Sequence, residues 1–402
     1  MIHPLVGASL HRSGAIKCKV LGAGPTGSLL ALALGIRGCQ VTLFDPHSAS
    51  TLCRRSRAYA LTHSSRGLLQ RLELWDDLQA DLAPFSKLCV EDRELQRRIL
   101  FTVEDLSRTN GAQGAVGWIL DHQPLMTLLL DRLKKLPNVS LCLGSSVSND
   151  EQNHDLIVAA DGSGSPTRQS WNLPTWRLDY RQGCLTAKIL LRGADPQVAH
   201  ECFRAEGPLA VLPLGGEAFQ LVWSAPLKSC EQRALLDSAA FLDQLASVLP
   251  MGLEVDALLD TPRAFPQVLL LSRRLNQGRG ILVGEAAHRC HPIGGQGLNL
   301  CWRDVNTVIS LVESVQNKGL SVSKLPRRYA RLRWIDLLLV SLFTDLLLRI
   351  FSSRHRLNLL LRWPMLLLLK RLPWLRRLCL SLMTDGVQAG RFGNAKVSQF
   401  SG

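Results

Sequence analysis

Residues 16–45 constrain the fold of this chain more than any other segment. Ile16-Lys17-Cys18-Lys19-Val20-Leu21 alternates as a strand does, and Gly22-Ala23-Gly24-Pro25-Thr26-Gly27 follows directly. Ser28 to Arg37 is rich in Ala and Leu and predicts a helix that Gly38 ends, and Gln40-Val41-Thr42-Leu43-Phe44-Asp45 predicts a second strand. The glycine triplet alone would be a weak signal. Between a strand and a helix, with an acid 18 residues beyond Gly27, it has the context of a dinucleotide-binding turn. The three glycines then differ in what they do. Gly22 permits the tight turn, Gly24 lets backbone approach a pyrophosphate, and Gly27 lets helix and strand pack closely. The helix start supplies free N–H groups to phosphates, and Asp45 would accept hydrogen bonds from ribose hydroxyls.

Two later segments read as buried strands that end in polar loops. Leu156-Ile157-Val158-Ala159-Ala160 runs into Asp161-Gly162-Ser163-Gly164-Ser165-Pro166-Thr167-Arg168. Ile281-Leu282-Val283 runs into Gly284-Glu285-Ala286-Ala287-His288, then Cys290-His291-Pro292-Ile293-Gly294-Gly295-Gln296-Gly297-Leu298-Asn299, with a helix expected from Leu300 to about Val315. Between them, residues 175–275 carry short alternating apolar runs separated by Gly and Pro, the texture of an antiparallel sheet. A second domain is therefore expected to be inserted between pieces of the first.

Charge is concentrated at one place. Residues 321–380 hold 13 Lys and Arg against Asp336 and Asp345, a net +11 out of +14 for the 402-residue chain. The same stretch holds 21 leucines, which disfavours nucleic acid and favours a lipid surface or an apolar partner. Its best uncharged run, Leu337 to Thr344, is too short to span a bilayer. The eleven cysteines are scattered, with no CxxC, which argues against a disulfide framework or a structural zinc site. The chain reads as reduced, cytoplasmic and peripheral at the membrane. His288, Cys290 and His291 match no usual zinc spacing, so no metal is expected. His122 and Gln123 read better as a solvated helix start than as phosphate ligands.

GAGPTG, ADGSGSPTR and GEAAHRCHPIGGQGLNL, in that order and at those separations, resemble the flavin-dependent aromatic hydroxylases with a single dinucleotide fold. The likeness is strongest to the ubiquinone-biosynthesis group (UbiH, UbiF and VisC). Arg57-Ala58-Tyr59-Ala60-Leu61, Gly67 to Trp75, Arg303-Asp304, and the pattern Tyr329, Arg333, Asp336, Thr344-Asp345 and Phe351 extend it over residues 16–385. The resemblance implies an α/β protein: a Rossmann-like FAD-binding domain (1–174 and 276–318), an inserted antiparallel-sheet substrate domain (175–275), and a C-terminal helical, basic, Leu-rich region (319–402).

The resemblance also implies cofactor-binding roles. Gly22, Ala23, Gly24, Pro25, Thr26, Gly27 and Asp45 would hold the ADP half of FAD, and Arg57 would approach the flavin or ribose–phosphate region. Asp161 and Gly162 would serve FAD and the pyridine nucleotide. Ser165 and Arg168 would brace that loop, with Arg168 also a candidate for nucleotide phosphate. Gly284 and Glu285 would contact the ribitol and pyrophosphate, and Pro292 would flank the isoalloxazine. Gly294, Gly295, Gly297, Leu298 and Asn299 would open a helix whose amides face the flavin pyrimidine ring, where the dipole stabilises negative charge. The family has Gly-Asp where this chain has Gly284-Glu285, one methylene longer.

The implied activity is an FAD monooxygenase that uses NAD(P)H and O2 to hydroxylate a lipophilic quinone precursor, with the membrane surface as a partner. No catalytic side chain beyond the flavin is expected, and a homo-oligomer or biosynthetic complex is left open. An isoprenoid reductase or epoxidase of the same fold, and an FAD-binding protein without turnover, are the alternatives.

Overall fold

The computed structural model describes residues 15–111, 113–145, 153–351 and 356–385. The glycine turn sits where the sequence places it, between the strand Lys17–Leu21 and the helix Pro25–Ile36, with the second strand at Gln40–Asp45. These strands belong to a six-stranded sheet. Its order is Asn276–Gln277, Gly280–Leu282, Leu156–Ala159, Lys17–Leu21, Gln40–Asp45, Val139–Leu143, parallel except at the Asn276–Gln277 edge. Parallel strands must be covered by helices. Here Pro25–Ile36 packs against both His122–Lys134 and Gln296–Lys318, and its Leu29 to Leu34 are almost wholly buried.

The second sheet has nine strands, almost all antiparallel. Its spine is Thr175–Arg192, an 18-residue strand that pairs with Arg263–Ser272 along one edge and with Ala218–Pro226 along the other. Leu209–Gly215 and Val198–Phe203 continue it. The sheet is not confined to 175–275. Lys87–Asp92 pairs in parallel with Val198–Phe203, and Arg97–Thr102 lies beyond it, so residues before the dinucleotide strand Leu156–Ala159 complete the sheet. A third, small sheet holds Ala58–Leu61, Gly117–Asp121 and Leu82–Phe85.

The helix expected from Leu300 begins at Gln296, because Gly294 and Gly295 both take left-handed φ angles (66° and 62°) and turn the chain directly into it. Three further helices follow: Leu325–Phe351, Arg356–Arg371 and Pro373–Asp385. They dock on both larger sheets. Phe351 stacks on Phe203 at 4.3 Å between ring centroids, and Arg376 pairs with Asp105 at 2.9 Å. Among the described residues no helix is long and apolar enough to cross a membrane.

One buried ion network ties these parts together. Asp304, on the helix Gln296–Lys318, is fully buried, and its Oδ2 accepts from the Gly284 N–H at 2.8 Å and lies 2.7 Å from His288 Nε2. Its Oδ1 accepts from Arg333 Nε at 2.5 Å, and Arg333 in turn donates to Asp336 and to the Leu300 carbonyl. Tyr329 donates to the Leu282 carbonyl at 3.0 Å. Burial alone would push the Asp304 carboxyl up, but Arg333, His288 and the Gly284 amide outweigh it and hold the group down at about 2.

A carboxyl held below its unfolded value stabilises the fold above the unfolded value, near pH ~4, and loses that contribution as pH falls toward about 2. Asp304→Asn leaves Arg333 buried without this counter-charge and should cost about 3–5 kcal/mol in urea unfolding at neutral pH. The acid-side loss of stability should also shrink in the variant. A variant as stable as the parent at neutral pH would contradict the role given to this network.

Candidate active site

The polar loops converge at the carboxyl ends of the parallel strands, where open α/β sheets bind their ligands. The glycine turn is held tightly. Gly22 has φ +99° and donates to the Phe44 carbonyl at 2.7 Å; a Cβ there would lie 2.4 Å from the Ala160 carbonyl oxygen. A Cβ on Gly27 would lie 1.8 Å from the Gly22 oxygen. Gly24 differs: its φ is −68°, and a Cβ would meet nothing within 4 Å. It caps the helix Pro25–Ile36 with backbone alone, so the helix start is open. Thr26 closes the turn against the third motif, since a Cβ on Gly284 would stand 3.0 Å from Thr26 Cγ2.

Asp45 braces this turn from the next strand. Its Oδ2 accepts from the Ala23 N–H at 2.8 Å and its Oδ1 from the His47 backbone N–H at 2.8 Å. Asp161 stands beside the turn, at the end of Leu156–Ala159. One of its oxygens accepts from the Thr167 N–H at 3.0 Å; the other is buried with no partner among the described residues. Gly162 is left-handed (φ +85°) and has open space around it. Arg168 is buried, and its guanidinium donates to the Ala286 and Ser163 carbonyls at 2.7 and 2.9 Å. The geometry makes it a brace between two motifs.

The third motif forms the other wall. Gly284 (φ +64°) and Glu285 lie in a short turn, with Glu285 half-buried and its charge felt by both Arg57 and Tyr59. The Arg57 guanidinium carbon lies 5.4 Å from the Tyr59 ring centre. Pro292 begins the turn that Gly294 and Gly295 complete, and no side chain caps the helix that follows. A Cβ on Gly297 would meet open space. Leu298 packs against the main core. Asn299 is fully buried, and its side chain is fully engaged. Its Oδ1 accepts from Thr62 and Ser65, and its Nδ2 donates to the Ala60 and Gly295 carbonyls at 2.7 and 2.9 Å. It fastens the strand Ala58–Leu61 to the helix start.

His122 is not a solvated helix start. It is buried; Nε2 donates to the Leu52 carbonyl at 2.7 Å and Nδ1 accepts from the Tyr59 hydroxyl at 2.8 Å. Both partners are more than sixty residues away in sequence, so nothing near His122 signals its burial. Gln123 is exposed.

Two uncapped helix starts, an unpartnered buried carboxylate oxygen on Asp161, and open space at Gly24, Gly162 and Gly297 fit an elongated dinucleotide with a charged pyrophosphate near one helix start and a ring that becomes negative on reduction near the other. Beside the second helix start lies a cavity of about 260 Å³ lined by Ile293, Gln296, Leu339, Val340, Phe343, Thr344, Leu347, Leu382 and Met383. Its wall is apolar except for Gln296 and Thr344. It joins the Pro292–Gln296 turn to the C-terminal helices.

The glycines separate fold from ligand binding. Gly24→Ala should leave the unfolding midpoint unchanged, because nothing in the protein meets the new methyl group, and should lower FAD affinity by at least about tenfold. Gly27→Ala should lose stability and FAD together. Flavin absorbance and thermal unfolding of both variants check this; a fully yellow Gly24→Ala protein would contradict the placement of the cofactor at this turn.

Comparison with known proteins agrees with this geometry. The sequence profile of the FAD binding domain family matches residues 145–329. The ubiquinone hydroxylase UbiL of Rhodospirillum rubrum is 28% identical over 364 residues, covering 83% of this chain and 81% of that protein. The 3-demethoxyubiquinol 3-hydroxylase of Escherichia coli is 26% identical over 356 residues, covering 83% and 89%. The crystal structure of p-nitrophenol 4-monooxygenase PnpA from Pseudomonas putida shares the fold, with a TM-score of 0.72 at 18% identity over 91% of this chain and 96% of that one. With three ordered flavin motifs on the fold that such enzymes use, the chain is an FAD-dependent monooxygenase that carries an FAD binding domain and is similar to the ubiquinone hydroxylases, with FAD as its cofactor.

Proposed function

We propose that this monooxygenase uses NAD(P)H and O2 to hydroxylate a phenolic or quinol ring that carries a long apolar substituent, a quinone precursor in chemical class. The observation that carries this reading is the cavity beside the Pro292–Gln296 turn. Seven of its nine lining residues are aliphatic, aromatic or Met, and Leu339, Phe343 and Leu382 also reach the surface. A prenyl chain gains about 0.8 kcal/mol for each methylene it buries there. FAD, when bound, supplies the redox chemistry that activates O2; the chain binds it, orients the ring and keeps water out.

The residues assigned to FAD follow from the same reading. Gly22 to Gly27 and Asp45 stand at the ADP end. Arg57, Asp161, Gly162, Gly284, Glu285, Pro292, Gly295, Gly297 and Leu298 stand toward the flavin end. Asn299 and Arg168 hold the loops that carry them. The division into a two-part FAD domain, a substrate domain and a helical C-terminal region belongs to the proposal too, with residues 87–102 assigned to the substrate domain because they extend its sheet.

The C-terminal helices serve as the surface from which such a substrate enters. On Leu325–Phe351, Leu337, Leu348 and Phe351 are buried, while Ile335, Leu339, Leu342, Phe343 and Leu346 are exposed along another face. Trp363, Leu368, Trp374, Leu378 and Leu382 extend the exposed apolar set, with Lys370, Arg371 and Arg377 exposed beside them. Some leucines therefore cap the core and the others suit the headgroup region of a bilayer. Each cation near an anionic surface adds about 1 kcal/mol.

Two measurements test the reading. Val340→Trp fills the cavity, and should raise KM for a geranyl-substituted phenol about tenfold while leaving KM for the unsubstituted phenol within about twofold. Equal effects on both phenols would remove the chain from the cavity. Binding to anionic vesicles should exceed binding to neutral ones and should fall as salt rises; binding indifferent to both would remove the electrostatic part of the membrane contact.

A further inference from the structure

The apolar cavity is walled on one side by the end of the last described helix. Leu382 and Met383, in the final turn of Pro373–Asp385, line it together with residues of Leu325–Phe351 and of the Pro292–Gln296 turn. That helix buries little of its own surface. Trp374, Leu378 and Leu382 are exposed, and its buried residues are Leu380 and Thr384. So small an apolar interface does not by itself fix where a helix ends.

Polar contacts fix it. Near its start Arg376 pairs with Asp105 at 2.9 Å. The last carbonyls of a helix have no partner within it, and here two of them are taken by side chains from elsewhere. Arg303 Nη2 donates to the Met383 carbonyl at 3.1 Å, and Ser64 Oγ donates to the Thr384 carbonyl at 2.7 Å. Arg303 also brings positive charge to the negative end of the helix dipole. It stands on Gln296–Lys318, and Ser64 stands on His63–Arg71 between Thr62 and Ser65, which donate to Asn299. The helix end is therefore fastened to the elements that carry the Pro292–Gln296 turn.

The fastening puts one side chain onto that turn. Where a Cβ on Gly294 would stand, the methyl carbon Cε of Met383 lies 2.7 Å away, and no other heavy atom beyond the adjoining residues comes within 4 Å among the described residues. The neighbouring glycines differ: the same position at Gly295 meets Ala60, and at Gly297 it meets nothing. Gly294 is left-handed (φ 66°) and has no side chain to keep solvent from its backbone, so Met383 does this for it. An unbranched thioether suits the place because it fills an irregular gap. Leu382 is exposed and Thr384 is buried, so the helix end passes from surface to core within three residues, and the half-buried Met383 stands between the two.

We propose that Met383 is a positioning residue that seals the ring end of the cavity against water, held there by Arg303 and Ser64. The inference rests on the reading of the Pro292–Gln296 turn as the flank of the flavin and of the cavity as the place of the substrate. Water admitted at Gly294 diverts electrons without stopping turnover. Each NAD(P)H spent that way reduces one O2, with uptake of one proton, to hydrogen peroxide, and no ring hydroxyl forms.

The test compares the FAD-loaded parent with Met383→Ala, Met383→Leu and Ser64→Ala. One readout is quenching of bound-flavin fluorescence by iodide at constant ionic strength; the other is peroxide formed per NAD(P)H oxidised with 2-geranylphenol present. Met383→Ala should hold FAD, raise the quenching constant at least about threefold and raise the peroxide share at least about twofold. Met383→Leu refills the gap and should return both readouts toward the parent. Ser64→Ala leaves Met383 in place but loosens the helix end, and should move both in the direction of Met383→Ala by a smaller factor. Parent-like quenching or a parent-like peroxide share in FAD-loaded Met383→Ala overturns the assignment, as does a Met383→Leu protein that leaks as much as Met383→Ala. Should Met383→Ala not retain FAD, unmoved readouts in Ser64→Ala overturn it. If the parent forms no hydroxylated product, the substrate reading fails, and the quenching constants alone decide whether Met383 is the seal.

Discussion

Asp304 is the point at which three separate stretches of chain are held in one arrangement. Its carboxylate takes the Gly284 amide from the loop after the last parallel strand, faces His288 in the next turn, and is neutralised by Arg333 from the C-terminal helix. Removing any one of these would leave charge or a strong donor buried, which is why the arrangement is all-or-none. The consequence reaches beyond stability. Gly284 is positioned against Thr26 of the glycine turn, so the network aligns two motifs that lie 258 residues apart in sequence along one ligand path.

The same network sets the C-terminal helices against the turn Pro292–Gln296, and the apolar cavity is the space between them. The helices are therefore part of the site and not an appendage to it. Their buried leucines anchor them, while the remainder give the cavity an apolar rim at the surface. A ring with a long aliphatic chain can move from such a rim to the turn without crossing water, and exclusion of water is what oxygen-activating flavin chemistry requires of its protein.

Much of this is legible in the sequence because its signals are local. The turn Gly22–Gly27 is flanked at once by its strand and helix, and the left-handed Gly22 and the crowded Gly27 need glycine for reasons of backbone sterics alone. The loops after Leu156–Ala159 and Gly280–Leu282 carry equally compact patterns. The features that stayed hidden depend on distant partners. Lys87–Asp92 joins the large sheet through Val198–Phe203, over a hundred residues away, and parallel pairing leaves no turn to mark it. His122 is buried by Tyr59 and the Leu52 carbonyl, neither of which its own segment reveals. Which leucines of the basic helices face inward is likewise decided by what they pack against, not by their spacing.

The flavin site and the apolar cavity, acting together, are proposed to hydroxylate a ring bearing an apolar chain. The most direct measurement is mass analysis of the product formed from a geranyl-substituted phenol by the FAD-loaded protein with NAD(P)H under ¹⁸O₂. The expected product carries a single new ring hydroxyl labelled with ¹⁸O. NAD(P)H oxidation with no labelled ring product, or a product reduced in its chain and free of label, would contradict it.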